Sequence, residues 1–317
     1  MIIKKRTILF LLLITMTLSA QLQLTHESEV SILTFGPGAS LNDAFGHTAI
    51  RIKDPLYNFD IVFDYGRYDF ETEGFYLKFA QGKLDYQIGR AEFDAVFSDY
   101  QYLNRSIKEQ QLNLSTAQKT AFYHFLIENV KPENQSYPYD FFYNNCATKI
   151  IDGIETILND PLVYTPPPEF EPQTFRNLIR SDLNQNSWGS LGIDIALGSK
   201  IDQIATVEEH LFLPKNLYLL LENAHTKTGT IGIVSTSKTL SPSDAIAQHN
   251  FFSSPLFILG ILALLMLLIT YTDFEKNKRS HWLDVCLFAI TGLIGVGLLL
   301  LWFATDHTAT AYNYNLL

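Results

Sequence analysis

Three uncharged apolar blocks interrupt a chain that otherwise sets apolar against polar positions at strand or helix spacing. The first follows Met1-Ile2-Ile3-Lys4-Lys5-Arg6, runs to about Leu18 and ends in Ser19-Ala20-Gln21. A basic head, a short apolar body and a small-residue exit make residues 1–20 a secretory signal or a retained signal anchor. The other two blocks lie near the C-terminus, at about residues 251–271 and 283–303. Each has the roughly 20 residues that a helix needs to cross a bilayer. Gly292, Gly295 and Gly297 in the second would let membrane helices pack closely. The loop between them carries Lys276, Lys278 and Arg279 against Asp273 and Glu275. Positive loops stay in the cytoplasm. Residues 21–250 therefore belong outside, where the N-terminal signal would also send them.

The first third of that exported segment reads as β-structure. Residues 29–35 alternate and stop at Gly36-Pro37-Gly38. Residues 47–53 and 59–65 alternate on either side of Asp54-Pro55-Leu56-Tyr57, a hairpin signal. Residues 84–90 are a further strand candidate, followed by an aromatic helical stretch over 93–104. Ser115 opens a helix over 116–129. A Tyr-rich loop at 132–145 leads to a helix that starts at Cys146, with Asn144 or Asn145 as its cap. Ala147, Ile150, Ile151, Ile154, Ile157 and Leu158 share one face of it. Pro161 and Pro166-Pro167-Pro168 end it. Helices are expected over 175–183, 190–197 and 207–212, and a strand over 230–235. The fold class is α+β: an antiparallel sheet with helices, plus transmembrane α-helices over residues 251–317.

The chain has 317 residues, of which 47% are hydrophobic, so it is not disordered. Its formal charge of −10 is concentrated outside the membrane blocks: the exported segment has 17 basic and 29 acidic residues. That balance excludes nucleic acid as a partner and leaves apolar surface as the means of lipid contact. There are two cysteines, and Cys286 lies in a membrane block. Cys146 is thus an unpaired thiol in an oxidising compartment, a candidate for reactivity.

A cysteine in the first turn of a helix gains from free N–H groups and the positive dipole end, which favour the thiolate. A thiolate nucleophile wants a histidine base. The exported segment offers His26, His47, His124, His210, His225 and His249. His47 stands at the mouth of a strand after Phe45-Gly46, where glycine permits close backbone approach. A hairpin turning about residues 55 and 56 would pair position 47 with Asp64, on the same sheet face. Asp64 could then accept a hydrogen bond from the imidazole and fix its tautomer. A slip of one residue would turn Asp64 away and leave Asp60 or Tyr65. The His and Asp residues show no ligand spacing, so neither a metal nor another cofactor is expected.

The order His…Asp…Cys, with histidine on a strand and Asn-Cys at a later helix start, resembles the circularly permuted papain-like superfamily of thiol acyltransferases. The closer resemblance is to the Lnb lipoprotein N-acyltransferases of Gram-negative bacteria. It is carried by Thr34-Phe-Gly-Pro-Gly38, Phe45-Gly-His-Thr-Ala-Ile-Arg51, Val62-Phe-Asp-Tyr-Gly66, Arg105-Ser-Ile-Lys-Glu-Gln-Gln-Leu-Asn-Leu114, Asp140-Phe-Phe-Tyr-Asn-Asn-Cys-Ala-Thr148 and Leu197-Gly-Ser-Lys-Ile-Asp202. The resemblance implies a permuted papain-like domain over residues 21–250 and, as substrates, a phospholipid acyl donor and a diacylated apolipoprotein. It implies an inner-membrane location with the catalytic domain in the periplasm. Asp194 and Asp202 also match family positions. The family usually carries about five C-terminal membrane helices. This chain shows two and then Asn313-Tyr-Asn-Leu-Leu317, so an incomplete chain is expected. A cell-wall cysteine peptidase or amidase, and a non-catalytic membrane-tethered binding module, are the alternatives.

Overall fold

The computed structural model describes residues 22–243 and 250–316. The expected signal or anchor and His249 lie outside the described residues. Among the described residues nine strands run β1 (Glu29–Phe35), β2 (His47–Asp54), β3 (Phe59–Arg67), β4 (Asp85–Glu92), β5 (Ile107–Leu112), β6 (Ser136–Pro138), β7 (Leu162–Val163), β8 (His225–Thr226) and β9 (Val234–Ser241). Seven of them form one antiparallel sheet in the order β6-β4-β3-β2-β1-β5-β9. The helices of the same region are α1 (Phe75–Gln81), α2 (Phe93–Tyr102), α3 (Thr116–Asn129), α4 (Cys146–Leu158), α5 (Phe175–Ser181), α6 (Trp188–Ala196) and α7 (Pro214–Leu221). The class is mixed α and β around an antiparallel sheet, as the periodicity implied.

Strand alternation gives the sheet two apolar faces, each with its own helices. Ile32, Ile50, Ile52 and Phe63 face α4 and α7, packing on Ala147, Ile150, Ile154 and Leu217. Leu33, Phe35, Ala49 and Val62 face α2, packing on Phe93, Val96, Phe97 and Tyr100. A separate cluster of Phe142, Phe175, Ile179 and Phe212 sits under α5.

Two expectations about the sheet are corrected. The hairpin pairs Asp54 with Phe59 and Ile50 with Phe63, so position 47 stands opposite 66, not 64. Its loop has four residues because the Asp54 carboxylate accepts from the Leu56 and Tyr57 amides at 3.1 and 3.4 Å. Asn58 then closes the loop at φ 53°. The shift is an even number of positions, so Asp64 keeps the face of His47 and becomes its diagonal neighbour. At the other edge the strand lies at Val234–Ser241, later than the 230–235 expected, and pairs with β5. β5 escapes a search for apolar alternation because two of its four buried positions, Glu109 and Gln110, are polar. Glu109 is buried by Arg51 and Lys238, each at 3.0 Å, and Gln110 donates to the Tyr218 carbonyl.

The apolar blocks form α8 (Pro255–Glu275) and α9 (His281–Phe303), with mean hydropathies of 2.3 and 2.5 and sides almost bare of protein contact. The chain beyond α9 turns back onto the globular part. The Asp306 amide donates to Gln81 O at 2.8 Å and the Gly198 amide to Ala309 O at 2.9 Å. The Asn313 side-chain amide donates to Ile195 O and Ala196 O at 2.8 and 3.0 Å.

Candidate active site

Cys146 is the first residue of α4, as its position before the apolar face predicted. The Asn145 side chain caps the helix by accepting from the Ala147 and Thr148 amides at 2.8 and 3.0 Å. Its amide nitrogen donates to Phe141 O and Phe212 O, both at 2.8 Å, which fixes the helix start against two loops. The Cys146 sulfur therefore sits where the partial positive charge of the helix end is largest.

His47 opens β2. By alternation it belongs to the face that carries Phe35 and α2, and its ring stacks on Phe35 with centroids 6.2 Å apart. Cys146 arrives from the opposite face. The two meet at the end of the sheet beside Gly66, in β3. A Cβ on Gly66 would lie 3.8 Å from Cys146 Cβ and 3.9 Å from His47 Cε1. Gly66 also has φ 97°, where side chains other than hydrogen are strained. The glycine before His47 meets a second limit: a Cβ on Gly46 would come within 2.6 Å of the Phe35 carbonyl oxygen.

His47 Nε2 lies 3.5 Å from Asp64 Oδ2. Arg67 holds the other carboxylate oxygen, with Nε donating to Oδ1 at 2.8 Å. With Nε2 turned to Asp64, Nδ1 is the ring nitrogen left for the sulfur. Burial alone would push the Cys146 thiol up, but the His47 charge, a hydrogen bond to the imidazole and the neighbouring Thr48 outweigh it and lower the pKa. Burial alone would lower His47. The Cys146 charge, then Tyr100 and the hydrogen bond with Asp64, instead hold it well above its ordinary value. Asp64 is also pushed up by burial, yet hydrogen bonds with His47 and Arg67 bring it below the usual carboxylate range. All three shifts favour a thiolate–imidazolium pair backed by a carboxylate.

The site opens into a cleft of about 720 Å³ whose walls are mostly apolar and aromatic, among them Phe45, Tyr68, Phe75, Tyr86, Tyr139 and Phe141. Asp306, His307 and Thr308, which follow α9, line its rim. Thr308 donates to Asp140 at 3.0 Å. Among the described residues no group of three His, Cys, Asp or Glu side chains could hold a metal ion.

Cys146, His47 and Asp64 are thus together, and the other described histidines that the sequence offered in the exported segment are elsewhere. His210 is buried, with Nδ1 2.6 Å from Thr206 O and Nε2 accepting from the Gln173 amide at 3.2 Å. His26 is exposed beside Glu27, His124 lies on α3 and His225 in β8. Arg67, Tyr100 and His307 had no place in the sequence reading, and Gly66 entered it only as the end of the Val62–Gly66 stretch. Arg105 pins the segment before His47, donating to Gly36 O at 2.8 Å and Asp43 at 3.1 Å. Asp194 and Asp202, without a role before, are both bound by Arg176, which ties α5 to α6. The motif stretches could have flagged Gly66, Arg105 and Asp202, but not Arg67, Tyr100, Arg176 or His307, whose roles depend on the fold.

Residues 16–181 match the Lnb N-terminal periplasmic domain, and residues 247–317 match the Lnb transmembrane domain. The chain belongs to the Lnb family. It is a membrane protein with a periplasmic domain. No curated protein and no solved structure matches it. Every residue of the candidate site from Gly46 to Cys146 falls inside the first match, and the rim residues Asp306, His307 and Thr308 fall inside the second.

Proposed function

We propose that the chain is an apolipoprotein N-acyltransferase of the inner membrane, with residues 21–250 as its periplasmic catalytic domain and 251–317 as its membrane part. The acyl chain passes from a phospholipid through a Cys146 thioester to the α-amine of a diacylglyceryl-cysteine lipoprotein. The observation that carries this reading is a helix-start thiol paired with His47 at the base of an aromatic cleft whose rim includes the residues just past α9.

The steps follow from the groups present. The Cys146 thiolate attacks the ester carbonyl, and the carbon–oxygen bond to the glycerol breaks. His47, protonated in the resting pair, gives its proton to the departing alkoxide. In the second half the lipoprotein amine attacks the thioester. His47, now neutral, takes the amine proton as the thiolate leaves. Asp64 holds the ring and supports its positive form. The Cys146 backbone N–H, at a helix start, supplies part of the oxyanion hole. Covalent catalysis splits one difficult amide synthesis into two easier steps. The permuted papain-like arrangement of the family accounts for the chain order of the three residues.

A cell-wall peptidase on the same fold would call for an open polar groove, and the aromatic walls here suit an acyl chain instead. A non-catalytic binding module would not require Cys146. The test is complementation of a strain defective in lipoprotein N-acylation, read by mass spectrometry of lipoprotein N-termini. The wild type is expected to restore the N-acylated peptide and Cys146→Ser to leave it absent. N-acylation by the Ser variant would defeat the thioester route.

A further inference from the structure

α1 is a seven-residue helix, Phe-Tyr-Leu-Lys-Phe-Ala-Gln, that turns only Phe75 inward. Tyr76, Leu77 and Phe79 are 79, 63 and 53% exposed, and Phe70 just before the helix is 65% exposed. Water-facing clusters of this kind mark a partner surface rather than chance. Phe70 and Phe79 are held by the buried Phe75 ring, with centroids 4.8 and 6.3 Å away, so the cluster is a fixed projection. Lys78 on the same helix meets no acidic side chain among the described residues.

The position of this lip is set by the membrane helices. The end of α1 and the exit of α9 are bonded directly, through the Asp306 amide to Gln81 O at 2.8 Å and His307 Nε2 to Phe79 O at 3.1 Å. Only Ala304 and Thr305 separate Asp306 from the last residue of α9. At the entrance of α8, Phe251 and Phe252 are exposed, and Trp188 donates from Nε1 to Ser253 O at 2.9 Å. Aromatic side chains beside the ends of spanning helices belong at the level of the lipid headgroups. The lip, the exposed face of a short helix with a lysine among aromatic and Leu residues, has the composition of an interfacial segment. Phe70, Tyr76 and Phe79 also line the cleft that holds Cys146.

We propose that Phe70, Tyr76, Leu77 and Phe79 are immersed in the outer interface of the bilayer that α8 and α9 cross, so that the Cys146 cleft opens sideways into lipid and the donor's acyl chain enters without passing through water. The immersion stands on the geometry alone; the acyl route rests on the proposed function. The opposite end of the sheet supplies an internal reference. Tyr57, in the β2–β3 loop, is exposed too, but it lies beyond the far end of β2, about 23 Å from His47 at the rise of a strand.

The experiment uses the full chain in phospholipid nanodiscs, with Cys146→Ala and Cys286→Ala removing the native thiols. Nitroxide labels are placed singly at Tyr76→Cys, Leu77→Cys and Tyr57→Cys, and their exposure to oxygen and to a water-soluble nickel chelate is compared. Labels at 76 and 77 are expected to favour oxygen and exclude nickel, and the label at 57 to do the reverse. Nickel exposure at 77 equal to that at 57 would overturn the immersion. In the otherwise native chain, Leu77→Asp is expected to slow Cys146 acylation from vesicle phospholipid several-fold more than acylation from a water-soluble short-chain ester. Equal slowing with both donors would overturn the sideways entry. Failure of the wild type to form a thioester with either donor, with the label pattern intact, would count against the proposed function and leave the immersion standing.

Discussion

At the level of single residues, the site works through charge held in place against burial. Cys146 is 9% exposed, and burial by itself would keep its thiol protonated. The imidazolium reverses that, so the sign of the pH dependence is fixed. The thiolate persists below the ordinary thiol range and is lost only as the pH falls through the lowered value. The rate of Cys146 alkylation by iodoacetamide should therefore fall off at a lower pH than it does for an ordinary cysteine. In His47→Ala burial is opposed only by Thr48, and the same profile should move upward in pH relative to the wild type. Asp64→Asn removes the support of the imidazolium, and acyl transfer should fall by about 10²-fold or more while the protein stays folded. Gly66→Ala should cost about 1–2 kcal/mol, read as a lower Tm, because it forces a side chain into φ 97°. It should also slow acylation, because the new methyl would contact both His47 and Cys146. His47 and Cys146 could be singled out from the sequence because each announces itself locally, one after Phe45-Gly46 and the other after Asn144-Asn145. Arg67, Tyr100 and Gly66 could not, because each acts through a partner that only the folded sheet brings near.

At the level of elements, strong local signals survived and polar ones misled. The start of α4 was legible because an asparagine cap, a cysteine and an apolar face follow in order. The hairpin was legible as a hairpin, but its register was not. The side chain that set its four-residue loop was Asp54, whose hydrogen bonds reach back to Thr25 as well as forward to the turn. Reading Asp64 as a partner of His47 survived that error only because the shift was even and preserved the face. β5 went unassigned since Glu109 and Gln110 take the inward positions usually held by Val or Ile. Asn145 offers the sharpest test at this scale. Asn145→Ala deletes the cap and leaves Phe141 O and Phe212 O without their donor, for a loss on the order of 2–4 kcal/mol. A urea titration should show the lower midpoint. The alkylation profile of Cys146 should also move upward in pH as the first turn of α4 loosens.

At the level of the whole molecule, the Cys146 cleft and the membrane helices are parts of one assembly. Neither apolar periodicity nor charge could have revealed this, because the joining residues are polar and lie in irregular segments. The tail after α9 reaches α1 through Asp306, the cleft through Thr308 and α6 through Asn313. Trp188 and Asn186, at the other side of α6, bond the approach to α8 and its first turn. α6 is therefore gripped from both membrane helices, and Arg176 and Arg180 pass that grip to α5 through Asp194. Asn313 is the point where this clasp can be opened without touching Cys146, His47 or Asp64. Its side chain is buried and donates to two carbonyls, so Asn313→Ala takes this donor from Ala196 O, at a cost of roughly 1–3 kcal/mol, while Ile195 O keeps the Asn315 side-chain amide at 3.2 Å. The loss should be local. Amide exchange is expected to speed up across residues 188–202 and 306–316 and to stay slow in β1, β2 and β3, whose ladder bonds do not involve the tail. If the clasp also sets the height of the cleft above the bilayer, acylation from vesicle phospholipid should fall in the same variant while Cys146 alkylation is unchanged. Faster exchange spread evenly over the sheet would mean that the tail supports the whole fold and not the seating of the cleft.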